Sequence, residues 1–252
     1  MSLTELYGDE VKRLIEKIVS TQQEKIREGG KILADAIADD RIIFVFGTGG
    51  HSYIGAEESY YRAGGLVPVY AILDQDISIA HGSSRSSSIE RTSGYAQAVL
   101  NTHPIERGDV MVIVNAYGIN SCTIDTALWC EEHEVTTIGI TSPEFSKSVP
   151  ANHLARHPSK KNLYELVNLY IDNHMPEKDA VIKIEGVFPL VSPVSTILNA
   201  FVINALVAET VGILNERGIE APVFTSANVE GGEEANRRWL KKYSSRINLK
   251  GK

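Results

Sequence analysis

Arg41-Ile42-Ile43-Phe44-Val45-Phe46-Gly47-Thr48-Gly49-Gly50-His51-Ser52 is the stretch that decides how this chain is read. Residues 42 to 46 are continuously apolar, β-branched and aromatic. Such a run marks a short strand buried on both faces, as in a parallel sheet. A glycine-rich turn follows without a gap, and a helix-length segment, Tyr53 to Ala63, follows the turn. At a helix start the first amide groups lack partners and the local dipole favours an anion. Phosphate is the obvious guest. Gly47, Thr48, Gly49, Gly50, His51 and Ser52 are therefore the first candidate binding residues.

The pattern recurs outward from there. Asp109 to Val114 is a second buried run, followed by the turn Asn115-Ala116-Tyr117-Gly118-Ile119-Asn120-Ser121 and a helix from Cys122 to His133. Leu66 to Leu73, Val135 to Ile140 and Leu169 to Asn173 read as further strands, and Tyr95 to Leu100 as a short helix. Strands alternating with helices predict one α/β domain with a parallel sheet covered on both sides. In such sheets ligands sit at the carboxyl ends of strands, where the winding reverses. The turns at 47–52 and 115–121 both follow strand ends and are expected to converge on one ligand. Asn115, Tyr117, Gly118, Asn120 and Ser121 form the second candidate set.

The flanks are read less directly. Leu3 to Asp39 carries an amphipathic stripe, and Gly29-Gly30 within it predicts two helices or one bent helix. That surface needs a partner, which a second subunit can supply. Asp74 to Ser93, with His81 and serines at 83, 84, 86, 87 and 88, reads either as a mobile polar loop or as a lid. Val181 to Ile184 alternates like an edge strand or hairpin arm. Ser192-Pro193-Val194-Ser195 then opens an apolar helix from Thr196 to Glu216. A tail with a terminal helix near Glu234 to Arg246 completes the chain. The expected division is a single domain over 1–252: N-terminal helices to 40, an α/β core over 41–217, and a tail over 218–252.

Composition excludes several classes. A formal net charge of -7 argues against a nucleic-acid partner. Cys122 and Cys130, eight apart, make neither a CxxC pair nor a disulfide framework. The N-terminus lacks a signal-peptide pattern, and no apolar run is read as long enough to span a membrane, so a cytoplasmic protein is expected. Ser52 stands where a dinucleotide fingerprint needs its third glycine, and no GxxxxGK[ST] loop occurs. No cofactor is expected. His103, His133, His153, His157 and His174 show no ligand spacing, and no metal site is expected.

In this order the motifs resemble the sugar isomerase (SIS) phosphosugar-binding family, in particular its phosphoheptose-isomerase-like members. The resemblance covers about 41 to 217. It rests on Phe44-Val45-Phe46-Gly47-Thr48-Gly49-Gly50-His51-Ser52, Gly108 to Val114, Tyr117-Gly118-Ile119-Asn120, Ile138-Gly139-Ile140-Thr141-Ser142, and the apolar helix opened by Ser192 and Ser195. It implies a three-layer α/β/α sandwich around a central parallel five-stranded sheet. It also implies a homodimer or homotetramer and a sugar phosphate ligand. Family members commonly carry serines where this chain has His51, Asn115 and Tyr117, with a further hydroxyl where it has Asn120; these side chains still donate hydrogen bonds.

Aldose–ketose isomerisation requires a base near C1 and C2 and an acid for ring opening. Family isomerases often use a glutamate and a C-terminal histidine, whereas this chain has no histidine after His174. The candidates are Glu57 and Glu58 on the pocket helix, His51 at the turn and His81 in the serine-rich segment. The reading is a protein that binds a phosphorylated sugar and is a candidate isomerase. The alternative is a non-catalytic phosphosugar sensor.

Overall fold

Five strands, β1 (Ile43–Gly47), β2 (Val69–Ile72), β3 (Val110–Val114), β4 (Thr136–Thr141) and β5 (Leu169–Asp172), form one parallel sheet in the order β2-β1-β3-β4-β5. The structure is a computed structural model and describes residues 1–249; the last three residues of the tail, 250–252, lie outside the described residues. The chain steps outward from β1 to β2, then returns to lay β3 on the other side of β1. That reversal is the topological switch of a doubly wound sheet. Gly47 at the end of β1 is in register with Val114 at the end of β3. Both turns singled out in the sequence therefore leave the same rim.

The helices, in chain order, are α1 (Leu3–Ala38), α2 (Tyr53–Ser59), α3 (Ser83–Glu90), α4 (Tyr95–Leu100), α5 (Ser121–Glu132), α6 (Pro143–Ser148), α7 (Leu163–Leu166), α8 (Ser195–Glu216) and α9 (Gly232–Tyr243). Alternation along β1 splits the core in two. Ile43 and Val45 pack with Leu33 of α1 and Leu198, Val202 and Leu206 of α8. Phe44 and Phe46 pack on the other face with Leu100 of α4, Trp129 of α5 and Tyr243 of α9. The three-layer arrangement expected of the sequence is present.

Several local expectations differ. α1 runs unbroken for 36 residues through Gly29-Gly30. A Cβ on Gly29 would sit 2.6 Å from Leu206 Cδ2, and one on Gly30 2.6 Å from Glu209 Cβ. The glycines let α1 lie close on α8; they do not bend it. The segment Asp74 to Ser93 is not a mobile loop. It folds as a 3-10 turn, Ile79–His81, and then α3. Buried Ile77 anchors it, Ser86 Oγ donates to Ile77 O at 2.6 Å, and Tyr95 donates its phenol to Asp74 at 2.9 Å.

Ser192 and Pro193 belong to a strand and not to a helix start: β6 (Ala180–Ile182) and β7 (Val191–Pro193) pair antiparallel as the expected hairpin arm. α8 begins at Ser195, and Asp179 caps it. That carboxylate accepts from the amides of Val194 and Ser195 at 3.0 and 2.8 Å and from Ser195 Oγ at 2.8 Å. α6, capped by Ser142 Oγ and opened by Pro143, is a helix where the sequence shows only the end of a strand.

α8 also amends the reading that no apolar run reaches membrane-spanning length. It is 22 residues long, and its most apolar 18-residue window has a mean hydropathy of 1.9, long and apolar enough by composition. Here Leu198, Val202 and Leu206 are buried between α1 and the sheet. Cys122 and Cys130 are free thiols buried along α5; burial raises both, Cys130 to about 12.

Candidate functional site

A cleft of about 260 Å³ opens at the carboxyl ends of β1 and β3. Its floor is the glycine turn. Gly49, Gly50, His51 and Ser52 line it, and the amides of Gly49, His51 and Ser52 donate to no protein acceptor among the described residues. Its opposite wall is α3, which presents Ser83, Ser86, Ser87 and Glu90 at helical spacing. α3 lies close on the turn. A Cβ on Gly49 would be 2.8 Å from Glu90 Oε2, and one on Gly50 would be 2.7 Å from Ile79 Cγ2 and 3.0 Å from Ser86 Oγ. The glycines are what admit Glu90 to the cleft.

Glu90 is the perturbed carboxyl here. Burial raises its carboxyl above the usual range, while the Gly50 amide, 3.4 Å from Oε2, and the charge of Arg91 pull it back in part. Tyr117 is raised first by burial and then by the charges of Asp179 and Glu90, which keeps it a neutral hydroxyl. From α8, Ser195 and Asn199 complete the wall, and Asn199 Oδ1 is held by Asn173 Nδ2 at 2.7 Å.

The turn after β3 behaves differently from the turn after β1. Asn115 Oδ1 accepts from the amides of Tyr117 at 3.1 Å and Gly118 at 2.9 Å, and its Nδ2 donates to Thr48 O at 3.3 Å. Asn115 thus ties the two turns together. It also uses the amides that an anion would otherwise take. The α8 N-terminus is likewise filled by Asp179. Open donors are left mainly on the β1 turn, on the α3 hydroxyls and on Arg91, which has no carboxylate within ion-pair distance among the described residues.

A larger depression of about 440 Å³ lies at the opposite edge of the sheet, between Arg41, Asp109 and Arg246. Its charges already answer one another: Arg41 faces Glu106 and Asp109, and Arg246 pairs with Asp40. The cleft at the switch point, with its open donors, is the candidate site.

The SIS domain family pattern matches residues 6–142. Across nearly the whole chain, a UPF0309 protein of Geobacillus kaustophilus is 39% identical over 241 residues, covering 96% of this chain and 94% of that one. A UPF0309 protein of Listeria innocua is 35% identical over 245 residues, with 97% of each chain covered. The chain belongs to the SIS domain family. Among solved structures, phosphoheptose isomerase of Neisseria gonorrhoeae superposes with a TM-score of 0.53 at 12% identity, covering 81% of this chain and 95% of that one. A phosphoheptose isomerase from Francisella tularensis gives 0.51 at 14% identity, over 83% and 98%. These two show the shared fold.

Within this SIS domain the sequence-derived candidates separate. Gly49, Gly50, His51, Ser52, Asn115, Tyr117 and Ser195 meet in the cleft. Gly47 lies behind it, as the end of β1. Thr48 is buried beneath, its Oγ1 2.7 Å from Thr123 Oγ1. Gly118, at φ +65°, shapes the β3 turn against Thr141 Oγ1. Asn120 donates to Ala155 O at 3.1 Å, and Ser121 Oγ meets Ser93 Oγ at 3.2 Å. Ser192 stands on the hairpin.

None of Glu57, Glu58 and His81 lines the cleft. Glu57 and His81 are exposed, and Glu58 binds Arg62 at 3.1 Å and Asn204 at 2.8 Å. Sequence reasoning missed Glu90, Arg91 and Asn199. One signal was present: Ser83, Ser86, Ser87 and Glu90 repeat at i, i+3, i+4 and i+7, a helical stripe written in hydroxyls.

Proposed function

We propose that this SIS domain binds a phosphorylated sugar in the cleft above β1 and β3 and interconverts its aldose and ketose forms. The supporting observation is Glu90: a half-buried carboxyl of raised pKa, held over the amide of Gly50 in a cleft lined with hydroxyls and amides. A carboxyl tuned toward neutrality suits proton transfer between adjacent carbons. In this reading the phosphate rests on the open amides of His51 and Ser52 with the hydroxyls of Ser52, Ser83 and Ser87. Glu90 takes the proton from one carbon and returns it to the next. Asn199 and the Tyr117 hydroxyl stabilise the oxygens of the intermediate, and His51 serves ring opening. The neighbours named phosphoheptose isomerases agree with this substrate class.

A thermal-shift screen with hexose, heptose and amino-sugar phosphates tests the binding. At a concentration of ligand 100-fold above its Kd the stabilisation is about 2.7 kcal/mol. For a chain of this size that raises Tm by about 5–10 °C. If no sugar phosphate moves Tm, the reading is lost.

A second reading, a phosphosugar-responsive protein without turnover, is favoured by one observation. Histidine is absent after His174, and His51 and His81 are exposed. Turnover of any aldose or ketose phosphate by the purified protein removes it. We further take the protein to be a cytoplasmic homodimer or homotetramer. α8 leaves Ile197 39% exposed and Phe201 half-buried on its outer side, as a helix shared between copies would. Light scattering should return two or four chain masses; a single chain mass refutes the assembly.

A further inference from the structure

Arg91 ends the row of polar side chains that α3 turns toward the cleft, and the reaction proposed above leaves it without a role. Among the described residues it is the one lysine or arginine that lines the cleft, in a chain whose formal net charge is -7. It also lines the adjoining depression of about 380 Å³, as Glu90 and Tyr117 do, so it stands where the two spaces meet. Glu90 and Glu177 both border that depression, yet Arg91 lies within ion-pair distance of no carboxylate among the described residues. Its charge still reaches Glu90 and pulls that carboxyl down. A guanidinium without a carboxylate partner is a charged fork available to an incoming oxyanion.

Two negative groups of the ligand could claim it: the phosphate, and the oxygens on which charge forms during reaction. α3 decides between them. Ser83 and Ser87, placed with the phosphate above, lie on its first two turns; Glu90 is its last residue, and Arg91 follows. At ~1.5 Å per residue, Arg91 lies about 12 Å along the axis from Ser83 and about 6 Å from Ser87. An extended chain of single bonds advances ~1.2 Å per bond. A six-carbon sugar phosphate laid along α3 therefore brings C1 and C2, and not its phosphate, beside Glu90 and Arg91.

We infer that Arg91 is a catalytic residue: its guanidinium binds the C1 and C2 oxygens of the sugar phosphate and carries the negative charge that forms there when Glu90 removes the proton. The inference rests on the isomerase reading given above and adds to it. In the step, a C–H bond beside the carbonyl breaks and its proton goes to Glu90. The electron pair forms the new C1–C2 double bond, and the carbonyl π pair moves onto oxygen, which Arg91 faces. Return of the proton to the neighbouring carbon reverses the flow, so no oxidant or co-reactant is consumed. Asn199 and Tyr117 give these oxygens neutral hydrogen bonds; Arg91 gives them a positive charge. A donor aimed where charge develops holds the transition state more strongly than the ground state.

Arg91 is exposed at the end of its helix, so its replacement leaves the core intact. With a sugar phosphate that the wild type isomerises, Arg91→Gln should lower kcat by about 100-fold and change KM by less than about threefold. Arg91→Lys keeps the charge without the fork and should recover about tenfold of that loss. The acid limb of the kcat/KM profile reports Glu90 in the free enzyme. Arg91→Gln removes the charge that holds this carboxyl down, so the limb should move to higher pH; in Arg91→Lys it should stay. Titration calorimetry gives a measurement without turnover. A pentonohydroxamate 5-phosphate copies the planar, charged intermediate of a six-carbon substrate, and a pentitol 5-phosphate does not. Wild type should bind the hydroxamate about tenfold or more tightly than the pentitol, and Arg91→Gln should bind the two alike. A raised KM with kcat unchanged makes Arg91 a ligand of the phosphate and overturns the inference. Unaltered kinetics, a limb that stays in place in Arg91→Gln, or a hydroxamate preference that survives that change also overturn it, and each leaves the isomerase reading intact. If the wild type turns over no sugar phosphate, that reading and this inference fall together.

Discussion

Glu90→Gln is expected to lower the kcat of aldose–ketose isomerisation by about 10²–10⁴-fold, the range that general acid–base groups supply. Glutamine keeps the shape and still faces the Gly50 amide, so sugar-phosphate binding should persist with a similar thermal shift. Loss of binding and turnover together would make Glu90 a binding residue and end its role as the proton carrier. The same variant has a pH signature. Burial raises the folded-state carboxyl above its unfolded value. Stability from the protonated form is therefore present below the unfolded pKa, about 4.3, and is lost as pH rises through the folded value. At pH 8 the folded wild type carries a poorly solvated charge, and Glu90→Gln should melt higher than wild type. At pH 4 the two should converge. Melting curves of both proteins at the two pH values check this. Identical behaviour at pH 8 would mean that Glu90 is freely solvated.

Glu90 also shows where the sequence was readable and where it was not. β1 and its turn were legible because a buried parallel strand is written as an uninterrupted apolar run, and a turn as glycine. The same holds for β3, and the switch point between them follows from strand order alone. α3 was illegible by hydrophobic periodicity because its inward face is serine and glutamate, so it read as a loop. Its helix is held through a serine of that same stripe, Ser86, which donates to the carbonyl of buried Ile77.

Gly29-Gly30 misled for the opposite reason. Intrinsic propensity counts glycine as a break, yet the closeness of α1 to α8 overrides that preference. Asp179 could not be foreseen as the cap of α8, because the contact joins residues 15 and 16 apart across a hairpin. The candidate site inherits these limits. Its floor and β3 turn were found; its acid was not, because it lies on the helix the pattern hid.

Gly47→Ala should be among the most destabilising conservative changes in the chain. Gly47 ends β1 and pairs with Val114. There the chain doubles back, so that the backbone of Ser52 and Tyr53 crosses directly over the end of the strand. A Cβ on Gly47 would lie 2.6 Å from Ser52 C and 2.6 Å from Tyr53 Cα, with Ser52 O closer still. All three are backbone atoms, so no side chain can rotate to make room. Either the turn lifts away from the strand or β1 loses its pairing at that end. Overpacking of this kind costs about 3 kcal/mol, and for a chain of this length Tm should fall by about 6–12 °C. The same lift would carry His51 and Ser52 away from Glu90, so sugar-phosphate affinity should fall in the protein that remains folded. Gly212→Ala is the control. Gly212 lies on the exposed side of α8, and a Cβ there would meet nothing within 4 Å. Alanine at that position should raise stability by about 0.5–1 kcal/mol, through helix propensity alone. If both variants melt together, the close crossing at Gly47 is not what shapes the floor of the cleft.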